Sequence, residues 1–322
     1  MSVLVYTENW DGLFKKQSFE LVSYASAVAG MMNTKVTALS IGKVDAEELG
    51  KLGNWGAEKI INAVSDELTV FDSQAYTGII ADIARAEGSK VIIFSNNISG
   101  KALAPRLSVR LKAGIGAGVS KLPLSIEPFT VYKRTYSGNA FAHLVINSDV
   151  KILTLAQNSF DLTEKPTGAV PETINVSIDS SPVRTVVTDR VQQTGKILLT
   201  DAEIVVSGGR GMKSPDNWGP LVELASLLNA ATACSRPVSD EGWRPHEEHT
   251  GQTGKMIAPN LYIAVGISGA TQHLAGVSSS KYIVAINNDK DAPIFEAAQY
   301  GIVGDALKIL PKLVDAVKGL KK

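Results

Sequence analysis

The hydrophobic pattern in the first third of the chain alternates between short apolar segments and longer segments with helical spacing. The apolar segments are rich in valine and isoleucine and lack strict alternation, which is typical of strands buried on both faces of a parallel sheet. They are SVLVYTE (2–8), KVTALSIG (35–42), AEKIINAV (57–64) and KVIIFS (90–95). Helices are predicted at 18–32, 45–52, 73–88 and 100–113. Strands that alternate with helices predict a doubly wound parallel sheet.

The pattern changes at FTVYKRTYSGNAFAHLVINSDVKILTLA (129–156), which predicts two or three antiparallel strands. SGN (137–139) and NSD (147–149) supply the turns between these strands. Residues 158–190 contain three prolines among many threonines and serines, and they predict an extended connector.

Placing the boundary at the end of this connector gives an N-terminal domain at 1–190 and a C-terminal domain at 191–322. Segments typical of parallel strands return in the second domain, in AEIVVSGGRG, LYIAVGISG and KYIVAIN. A final helix is predicted in GDALKILPKLVDAVKGLKK, and we expect Pro311 to kink it or to begin a new helix. The predicted fold is α/β, with two doubly wound parallel-sheet domains and an antiparallel extension on the first.

Composition narrows the class of protein. The chain has 322 residues, is 44% apolar, and carries 32 basic and 32 acidic residues, so no net field favours nucleic acid or an anionic membrane. One cysteine excludes an internal disulfide and fits a reducing compartment. The chain shows no leader pattern and no apolar run of about 18 residues, so we expect a cytoplasmic protein without membrane insertion.

The segment EIVVSGGRG (203–211) ends a strand in a glycine-rich turn. Backbone N–H groups of such a turn can close on an anion, and Arg210 can add a bidentate contact to a phosphate. The spacing fits neither the dinucleotide fingerprint nor a P-loop. Phosphate binding and a plain strand–turn–helix connection both remain open for this segment.

Two further strand ends carry polar side chains. IAVGISGATQHLAG (263–276) presents Gln272 and His273 at the start of a helix, where open α/β sheets bind ligands. Ser235 and Arg236 follow another apolar run, although an arginine there is also a common surface charge. Cys234 is interpreted as a small buried residue, because no activating His–Asp pair accompanies it.

The segment RPHEEHTGQTGK (244–255) suggests three kinds of site. Its histidines are three residues apart beside a proline, which disfavours a metal site, and its glycines have the wrong spacing for a P-loop. What remains is a glycine-flanked loop that carries Gln252 and Thr253 as hydrogen-bonding side chains. We expect the histidines and glutamates to face solvent, and Lys255 receives no role.

These motifs together resemble the alpha subunit of electron transfer flavoproteins. LYIAVGISGATQHLAGVSSSKYIVAIN (261–287), SGGRG, SRP, GQTGK and APIFEAAQYGIVGDALKILP follow that family's order and spacing, densely over residues 203–310. Thr271 departs from the family's usual isoleucine or valine. His249–Thr250 departs from its usual glutamine and aliphatic residue.

The resemblance implies a heterodimer with a beta subunit and one FAD in the C-terminal, flavodoxin/Rossmann-like domain. The N-terminal domain would be adenine-nucleotide-hydrolase-like and contact the beta subunit, which holds AMP where AMP is present. Electrons would pass from flavoprotein dehydrogenases, typically acyl-CoA dehydrogenases of fatty acid beta-oxidation, to electron transfer flavoprotein quinone oxidoreductase. A bifurcating or nitrogen-fixation-type flavoprotein is the alternative. A hydrolase or ligase is disfavoured, since no matching motif was found, and a ligand-free scaffold is the third hypothesis.

The resemblance also implies the FAD site. Its residues are Arg210, Ser235, Arg236, Thr250, Gly251, Gln252, Thr253, Ser268, Gly269, Ala270, Thr271, Gln272, His273, Asn287, Asp305 and Ala306. Arg236 would place a cation beside the isoalloxazine, His273 would serve its N1/C2 carbonyl edge, and Thr253 its N5. Gln272, Ser268 and Ser235 would contact ribityl or phosphate groups, and Asn287 and Asp305 the adenosine end. The protein itself is expected to be an electron carrier without a catalytic site, and no metal is expected.

Overall fold

The computed structural model describes residues 1–68, 70–138, 140–177, 187–189 and 197–320. The chain divides into two compact units, Met1–Arg190 and Val191–Lys322. Asn139 of the predicted SGN turn, residues 178–186 and 190 of the predicted connector, and the final two lysines of the predicted last helix lie outside the described residues.

The first unit contains the following elements in chain order. Its strands are β1 (Ser2–Tyr6), β2 (Asn9–Trp10), β3 (Leu13–Phe14), β4 (Lys35–Ile41), β5 (Lys59–Val64), β6 (Ser89–Ser95), β7 (Gly114–Val119), β8 (Ser125–Ile126), β9 (Phe129–Thr135), β10 (Ala140–Val145), β11 (Lys151–Leu155) and β12 (Pro171–Asn175). Its helices are α1 (Lys16–Met31), α2 (Ala46–Gly50), α3 (Ser73–Ala86) and α4 (Ile98–Leu111), with 3-10 turns at Lys51–Asn54 and Tyr136–Gly138.

Ten of these strands form one large sheet in the order β10-β9-β7-β11-β6-β1-β4-β5-β12, with β8 paired to β9, and β2 and β3 form a separate two-stranded sheet. The strands from β7 to β12 in this order pair in parallel, and β9 adds β8 and β10 as antiparallel neighbours. One apolar cluster packs α1 on one face of the sheet, and another packs α3 and α4 on the opposite face. The doubly wound prediction is therefore confirmed for this unit, together with its four strands and the helices between them.

The prediction of two or three antiparallel strands at 129–156 holds for two of them, β9 and β10, since β11 runs parallel between β6 and β7. A short apolar run does not indicate the direction of pairing. One detail of the prediction for the first unit is wrong. The predicted connector contains β12, which extends the sheet beside β5. This strand is polar and mostly exposed, so its sequence carries no strand periodicity.

The second unit contains strands β13 (Ile204–Gly208), β14 (Ala231–Cys234), β15 (Leu261–Val265), β16 (Tyr282–Asn287) and β17 (Tyr300–Val303). Its helices are α5 (Gly219–Leu227), α6 (Arg236–Asp240), α7 (Thr271–Val277), α8 (Ile294–Ala297) and α9 (Ala306–Leu320), with 3-10 turns at Arg210–Met212, Pro215–Trp218 and His246–Glu248. A single helix, α9, passes through Pro311.

The five strands of the second unit are all parallel and lie in the order β14-β13-β15-β16-β17. Numbered within this unit the order is 2-1-3-4-5, the doubly wound order of flavodoxin-like folds. One apolar cluster packs α5 and α9 on one face, and another packs α7 and α8 on the other. The strand order reverses between β13 and β15, where such sheets open a crevice for ligands.

Strand β17 forms one outer edge of this sheet, and the sequence pattern did not predict it. Its side chains are exposed, with 63% of Tyr300 and 61% of Val303 accessible to solvent. Because the strand is short and contains a glycine, it lacks the buried apolar run that marked its neighbours.

Across the described residues, no helix combines the length and the apolar character that crossing a membrane requires.

Candidate functional site

The residues predicted for the site meet at one edge of the second sheet. Parallel strands end at the same edge, so the segments that follow them are neighbours in space. Arg210 follows β13; Ser235 and Arg236 follow β14; Thr250, Gly251, Gln252 and Thr253 lie in the loop between β14 and β15; Ser268 to His273 follow β15; Asn287 ends β16; Asp305 and Ala306 follow β17. Several backbone contacts tie these segments together.

The turns after β13 and β15 pack backbone against backbone. The Gly209 N–H donates to the Val265 carbonyl at 2.9 Å, and the Gly211 N–H donates to the Gly266 carbonyl at 3.0 Å. A Cβ atom at position 209 would lie 2.3 Å from the Gly266 oxygen, so only glycine fits. These two amides therefore serve the contact between turns and are not available to an anion. The Arg210 side chain is exposed between them.

The loop that contains Gly251, Gln252 and Thr253 is anchored at both ends. The Gln252 N–H donates to the Gln272 carbonyl at 2.7 Å, which joins the loop to the start of α7. The Lys255 N–H donates to the His249 carbonyl at 2.9 Å and closes the loop on itself. The Gln252 and Thr253 side chains are left exposed on a fixed backbone. The loop can therefore present two hydrogen-bonding side chains to a ligand.

The segment before this loop is not uniformly exposed. His246 and Glu247 face solvent as predicted, but Glu248 and His249 are buried, with 8% and 3% of their surface accessible. The prediction that all histidines and glutamates of this segment face solvent is therefore wrong for these two. Glu248 is buried because it forms an ion pair with Arg244, four residues earlier. Arg244 Nε and Nη2 each lie 2.7 Å from a Glu248 oxygen.

The guanidinium of Arg244 also lies 5.2 Å from the centre of the Trp218 ring. Trp218 in turn fills the space beside Gly208, where a Cβ would lie 2.6 Å from the indole. This stack of Gly208, Trp218, Arg244 and Glu248 fixes the segment before the loop against the end of β13. Cys234, at the end of β14, is buried, which confirms its interpretation as a small buried residue. Burial also raises the pKa of its thiol to about 12.

His273 is buried at the start of α7, with 7% of its surface accessible. Its Nε2 lies 2.8 Å from the hydroxyl of Tyr262, and its Nδ1 is buried without a hydrogen-bond partner among the described residues. Burial, and then the nearby His249, lower the pKa of His273 to about 4, while the Thr250 backbone opposes this shift. The ring is therefore neutral near pH 7. With its hydrogen on Nδ1 it can accept a hydrogen bond from Tyr262.

Arg236 and Ser235 sit at the end of β14 in different environments. The Arg236 side chain is 65% exposed, and its Nε lies 3.3 Å from Asp240 one turn along α6. Ser235 is buried, and its N–H donates to the Gly208 carbonyl at 3.0 Å. Thr250 is also buried, and its hydroxyl donates to the Cys234 carbonyl at 3.3 Å. Of these three, only Arg236 projects a group that a ligand can approach freely.

The residues after β15 line the middle of the edge. The side chains of Ser268, Ala270, Thr271 and Gln272 are exposed. Gly269 has a φ of +85°, and a Cβ there would lie 2.3 Å from the Ile294 nitrogen. Glycine is therefore required at 269 for both its conformation and its close contact.

Asn287 and Asp305 are engaged within the protein. The Asn287 amide donates to the Ile267 carbonyl at 2.8 Å, and its oxygen accepts from the Asp289 N–H at 2.9 Å. Asp305 accepts from the Leu307 N–H at 3.0 Å and lies 3.5 Å from Lys213. The hydrogen bond from the Leu307 N–H contributes most to holding the pKa of the Asp305 carboxyl below its usual range, and Lys213 adds to it. Ala306 is buried at the start of α9.

Sequence reasoning missed several residues that shape this edge. Tyr262 sits in an apolar run that carries no sign of its contact with His273, and Lys213 reaches Asp305 only through tertiary structure. Arg244 and Glu248 did carry a signal, since opposite charges four residues apart often pair. Among the described residues, no three histidine, cysteine, aspartate or glutamate side chains are grouped to hold a metal ion.

Comparison with known proteins gives consistent matches along the chain. Residues 3–180 match the family profile described as electron transfer flavoprotein domain, and residues 198–278 match the one described as electron transfer flavoprotein FAD-binding domain. Electron transfer flavoprotein subunit alpha of Bacillus subtilis is 34% identical over 319 residues, covering 99% of this chain and 98% of that protein. The subunit alpha of Syntrophomonas wolfei is 33% identical, covering 98% of each. Protein FixB of Escherichia coli is 37% identical over 301 residues, covering 92% of this chain and 94% of that protein.

Proposed function

The chain belongs to the electron transfer flavoprotein alpha-subunit family, and from this membership we propose that it carries electrons on FAD between a dehydrogenase and a quinone-reducing acceptor. Its second unit contains the family's FAD-binding domain. The observation that carries the proposal is the edge of the second sheet, where exposed polar side chains from the three inter-strand segments between β13 and β16 converge on the reversal between β13 and β15.

The residues at this edge fit FAD. The exposed side chains of Gln252, Thr253, Ser268 and Gln272 supply donors and acceptors for a flavin and its ribityl chain. The exposed cations Arg210 and Arg236 suit its pyrophosphate and electron-accepting ring.

A buried polar atom without a partner also points to a missing ligand. The Nδ1 atom of His273 is such a group, since buried donors are almost always paired in folded proteins. A neutral His273 would donate from Nδ1 to a carbonyl, which agrees with the role at the N1/C2 carbonyl edge implied by the family resemblance. Tyr262 would hold the ring in the required tautomer.

The proposed FAD-holding set is that of the sequence prediction. Its members are Arg210, Ser235, Arg236, Thr250, Gly251, Gln252, Thr253, Ser268, Gly269, Ala270, Thr271, Gln272, His273, Asn287, Asp305 and Ala306. When bound, FAD supplies the reversible uptake of electrons that no amino-acid side chain here provides. The chain contributes binding, orientation and charge. The exposed Gln252, Thr253 and Arg236 would contact FAD directly, whereas the buried Ser235, Thr250 and Asn287 would shape the backbone around it.

We further propose the following division of labour and partners. Residues 1–190 contact the beta subunit of a heterodimer, and residues 191–322 bind FAD. The electron donors are flavoprotein dehydrogenases, typically acyl-CoA dehydrogenases of fatty acid beta-oxidation, and the acceptor is electron transfer flavoprotein quinone oxidoreductase. The chain acts in the cytoplasm as a carrier without a catalytic site of its own, and any AMP belongs to the beta subunit.

A second candidate function has an observation of its own. The Escherichia coli relative carries the name Protein FixB, as does a Clostridium saccharobutylicum protein that is 32% identical over 321 residues. This supports a nitrogen-fixation-type or bifurcating electron transfer flavoprotein as the alternative, in which the donors and acceptors differ while the FAD of this chain remains.

The test is to produce the chain together with its beta subunit and to measure flavin released on denaturation. One FAD per chain is expected, and a heterodimer without FAD contradicts the proposal. Anaerobic reduction then separates the two candidates. Reduction by an acyl-CoA dehydrogenase with its substrate favours the first, whereas reduction by NADH alone favours the bifurcating type.

A further inference from the structure

His249 occupies an unusual position in the second unit. It follows the 3-10 turn His246–Glu248 and forms an isolated backbone bridge with Cys234 at the end of β14. Only 3% of its surface is accessible. Its ring is thus an ionisable group held inside the protein beside the Gly251–Gly254 loop.

The loop folds closely around this ring. A Cβ atom at Gly254 would lie 2.9 Å from the His249 Nδ1, and one at Gly251 would lie 3.5 Å from its Nε2. The Lys255 N–H donates to the His249 carbonyl, and the Gly254 N–H donates to the Gly251 carbonyl at 3.1 Å. The imidazole therefore fills the inside of the loop whose outer side presents Gln252 and Thr253.

The surroundings of the ring suit its neutral form. Its Nδ1 has no hydrogen-bond partner among the described residues, so an imidazolium would bury an N–H without an acceptor. The charged and titratable groups that act on it are His246 on its own turn, with ring centres 5.5 Å apart, and Arg236 and Asp240 on α6. His273 on α7 is coupled to it as well.

The carboxylate nearest in sequence is not free to balance a positive ring. Glu248 already accepts two hydrogen bonds from Arg244. Burial, then His246 and Arg236, lower the pKa of His249, and only Asp240 opposes them.

We propose that neutral His249 is a positioning residue that holds the Gly251–Gly254 loop closed, and that its protonation opens the loop and weakens the retention of FAD. This inference rests on the proposed function, because it assigns pH dependence to the same loop. The ligand is the flavin end of FAD, which the exposed face of the loop would contact. Solvent supplies the proton, which adds to the unprotonated ring nitrogen of His249, and no other bond changes.

The direction of the pH dependence follows from the linkage between protonation of His249 and closure of the loop. The pKa of His249 is lowered in the closed loop and returns toward the ordinary histidine value of about 6.5 when the loop opens. The closed loop is therefore fully stable above about pH 6.5 and loses stability as pH falls below that value. For one histidine this loss reaches at most about tenfold at one unit below the ordinary pKa.

The experiment compares the heterodimer with its H249Q and H246Q variants. The dissociation constant of FAD is measured by flavin fluorescence at about pH 8 and about pH 5.5, on either side of the ordinary histidine pKa. Glutamine can fill the loop and cannot be protonated, so H249Q is expected to reduce the acid weakening by several-fold, up to about tenfold. H246Q removes one of the groups that lower the pKa of His249, so it is expected to reduce the acid weakening by less than H249Q does. Equal pH dependence in wild type and H249Q overturns the proposal.

A second measurement does not need FAD. Hydrogen exchange of the Gly254 and Lys255 amides in the flavin-free heterodimer, corrected for intrinsic rates, reports the closed loop directly. As the pH is lowered, the protection of these amides is expected to decrease in the wild type and to stay nearly constant in H249Q. Constant protection in the wild type refutes the role of His249, whereas failure to bind FAD at about pH 8 refutes the proposed function instead. If H249Q itself does not fold, the wild-type exchange profile still decides the matter.

Discussion

Each unit has a parallel sheet whose strand order reverses at one point, but the polar groups at the two reversals differ. In the first unit the strand order reverses between β1 and β6, and Glu8 follows β1. Its two oxygens accept hydrogen bonds at 2.6 Å from Asn97 and from Ser99. Gln17 donates to Ser95 beside them. The polar side chains at this reversal are therefore satisfied by one another.

In the second unit the reversal lies between β13 and β15, and the neighbouring polar groups remain open. Gln252 and Gln272 are exposed, while His249 and His273 each bury a nitrogen without a partner in the described part of the chain. Both units therefore have a possible ligand-binding edge at the carboxyl ends of their parallel strands. The polar groups left without partners indicate that the edge of the second unit binds the ligand. Four substitutions test that difference.

The largest effect is expected from G209A. A Cβ at this position meets the Gly266 carbonyl oxygen at 2.3 Å, and neither backbone can move without separating the turns after β13 and β15. We expect loss of FAD binding and a fall of roughly 2–4 kcal/mol in the free energy of unfolding. Urea denaturation and flavin content measure both.

The matched control for G209A is G30A in α1 of the first unit, where a Cβ meets nothing within 4 Å. It is expected to be neutral or to stabilise the protein by up to about 1 kcal/mol. A G209A protein that binds FAD normally would show that the contact between the turns is not needed for the site.

The second largest effect, a loss of stability, is expected from R244A. It leaves the Glu248 carboxylate, only 10% exposed, without its bidentate partner. Such removal costs about 3–5 kcal/mol for a fully buried pair, and the 23% exposure of Arg244 reduces this to roughly 2–3 kcal/mol. The exposed pair of Arg85 and Asp82 gives the control, since R85A should cost less than about 1 kcal/mol. Similar losses for R244A and R85A, measured by urea denaturation, would contradict the stack described for Trp218.

Arg236 allows a test of charge alone. In R236Q a cation is removed from an exposed position, so the reduction potential of bound FAD should fall by roughly 40 mV, the value for unit charges about 4 Å apart in water. A drier site would raise this toward about 170 mV at an effective dielectric near 20. Spectroelectrochemistry measures the shift, and K312Q on exposed α9 surface is the control. An unchanged potential in R236Q would remove this residue from the flavin environment.

The smallest effect on FAD is expected from E8Q, at the strand-order reversal of the first unit. Glutamine cannot accept hydrogen bonds from both Asn97 and Ser99, so about 1–2 kcal/mol of stability should be lost while FAD binding stays unchanged. The exposed Glu58 provides the comparison, with E58Q expected within about 0.5 kcal/mol of wild type. A change in flavin affinity in E8Q would contradict the assignment of FAD binding to the second unit alone.

The sequence predicted the strands that are buried on both faces, because their valine and isoleucine runs leave little alternative. It failed for short strands at the outer edges of the sheets. β12 and β17 are short edge strands with exposed side chains, and their formation depends on a neighbour far away in sequence. The pattern left open whether β11 joins the antiparallel group, because apolar runs look alike in parallel and antiparallel pairs.

The sequence likewise predicted some features of the site and not others. The positions of Gln252 and Thr253 follow from the glycines around them, and the structure leaves both side chains exposed. The burial of His249 could not be predicted, because charged and polar residues in a run usually face solvent. For Glu248 the sequence indicated a pair with Arg244 but not that the pair is buried. Their burial depends on Arg244 and on a loop without side chains at 251 and 254, which only the folded chain brings together.

The exposed outer strand β17 has a consequence for the colloidal behaviour of this chain. An open edge offers a row of unpaired backbone groups to any other strand, and here Tyr300, Ile302 and Val303 add apolar surface to it. A net charge of zero supplies no long-range repulsion between copies. Production of the chain by itself thus favours edge-to-edge association, and the substitution I302K would oppose it by placing a charge on the exposed strand.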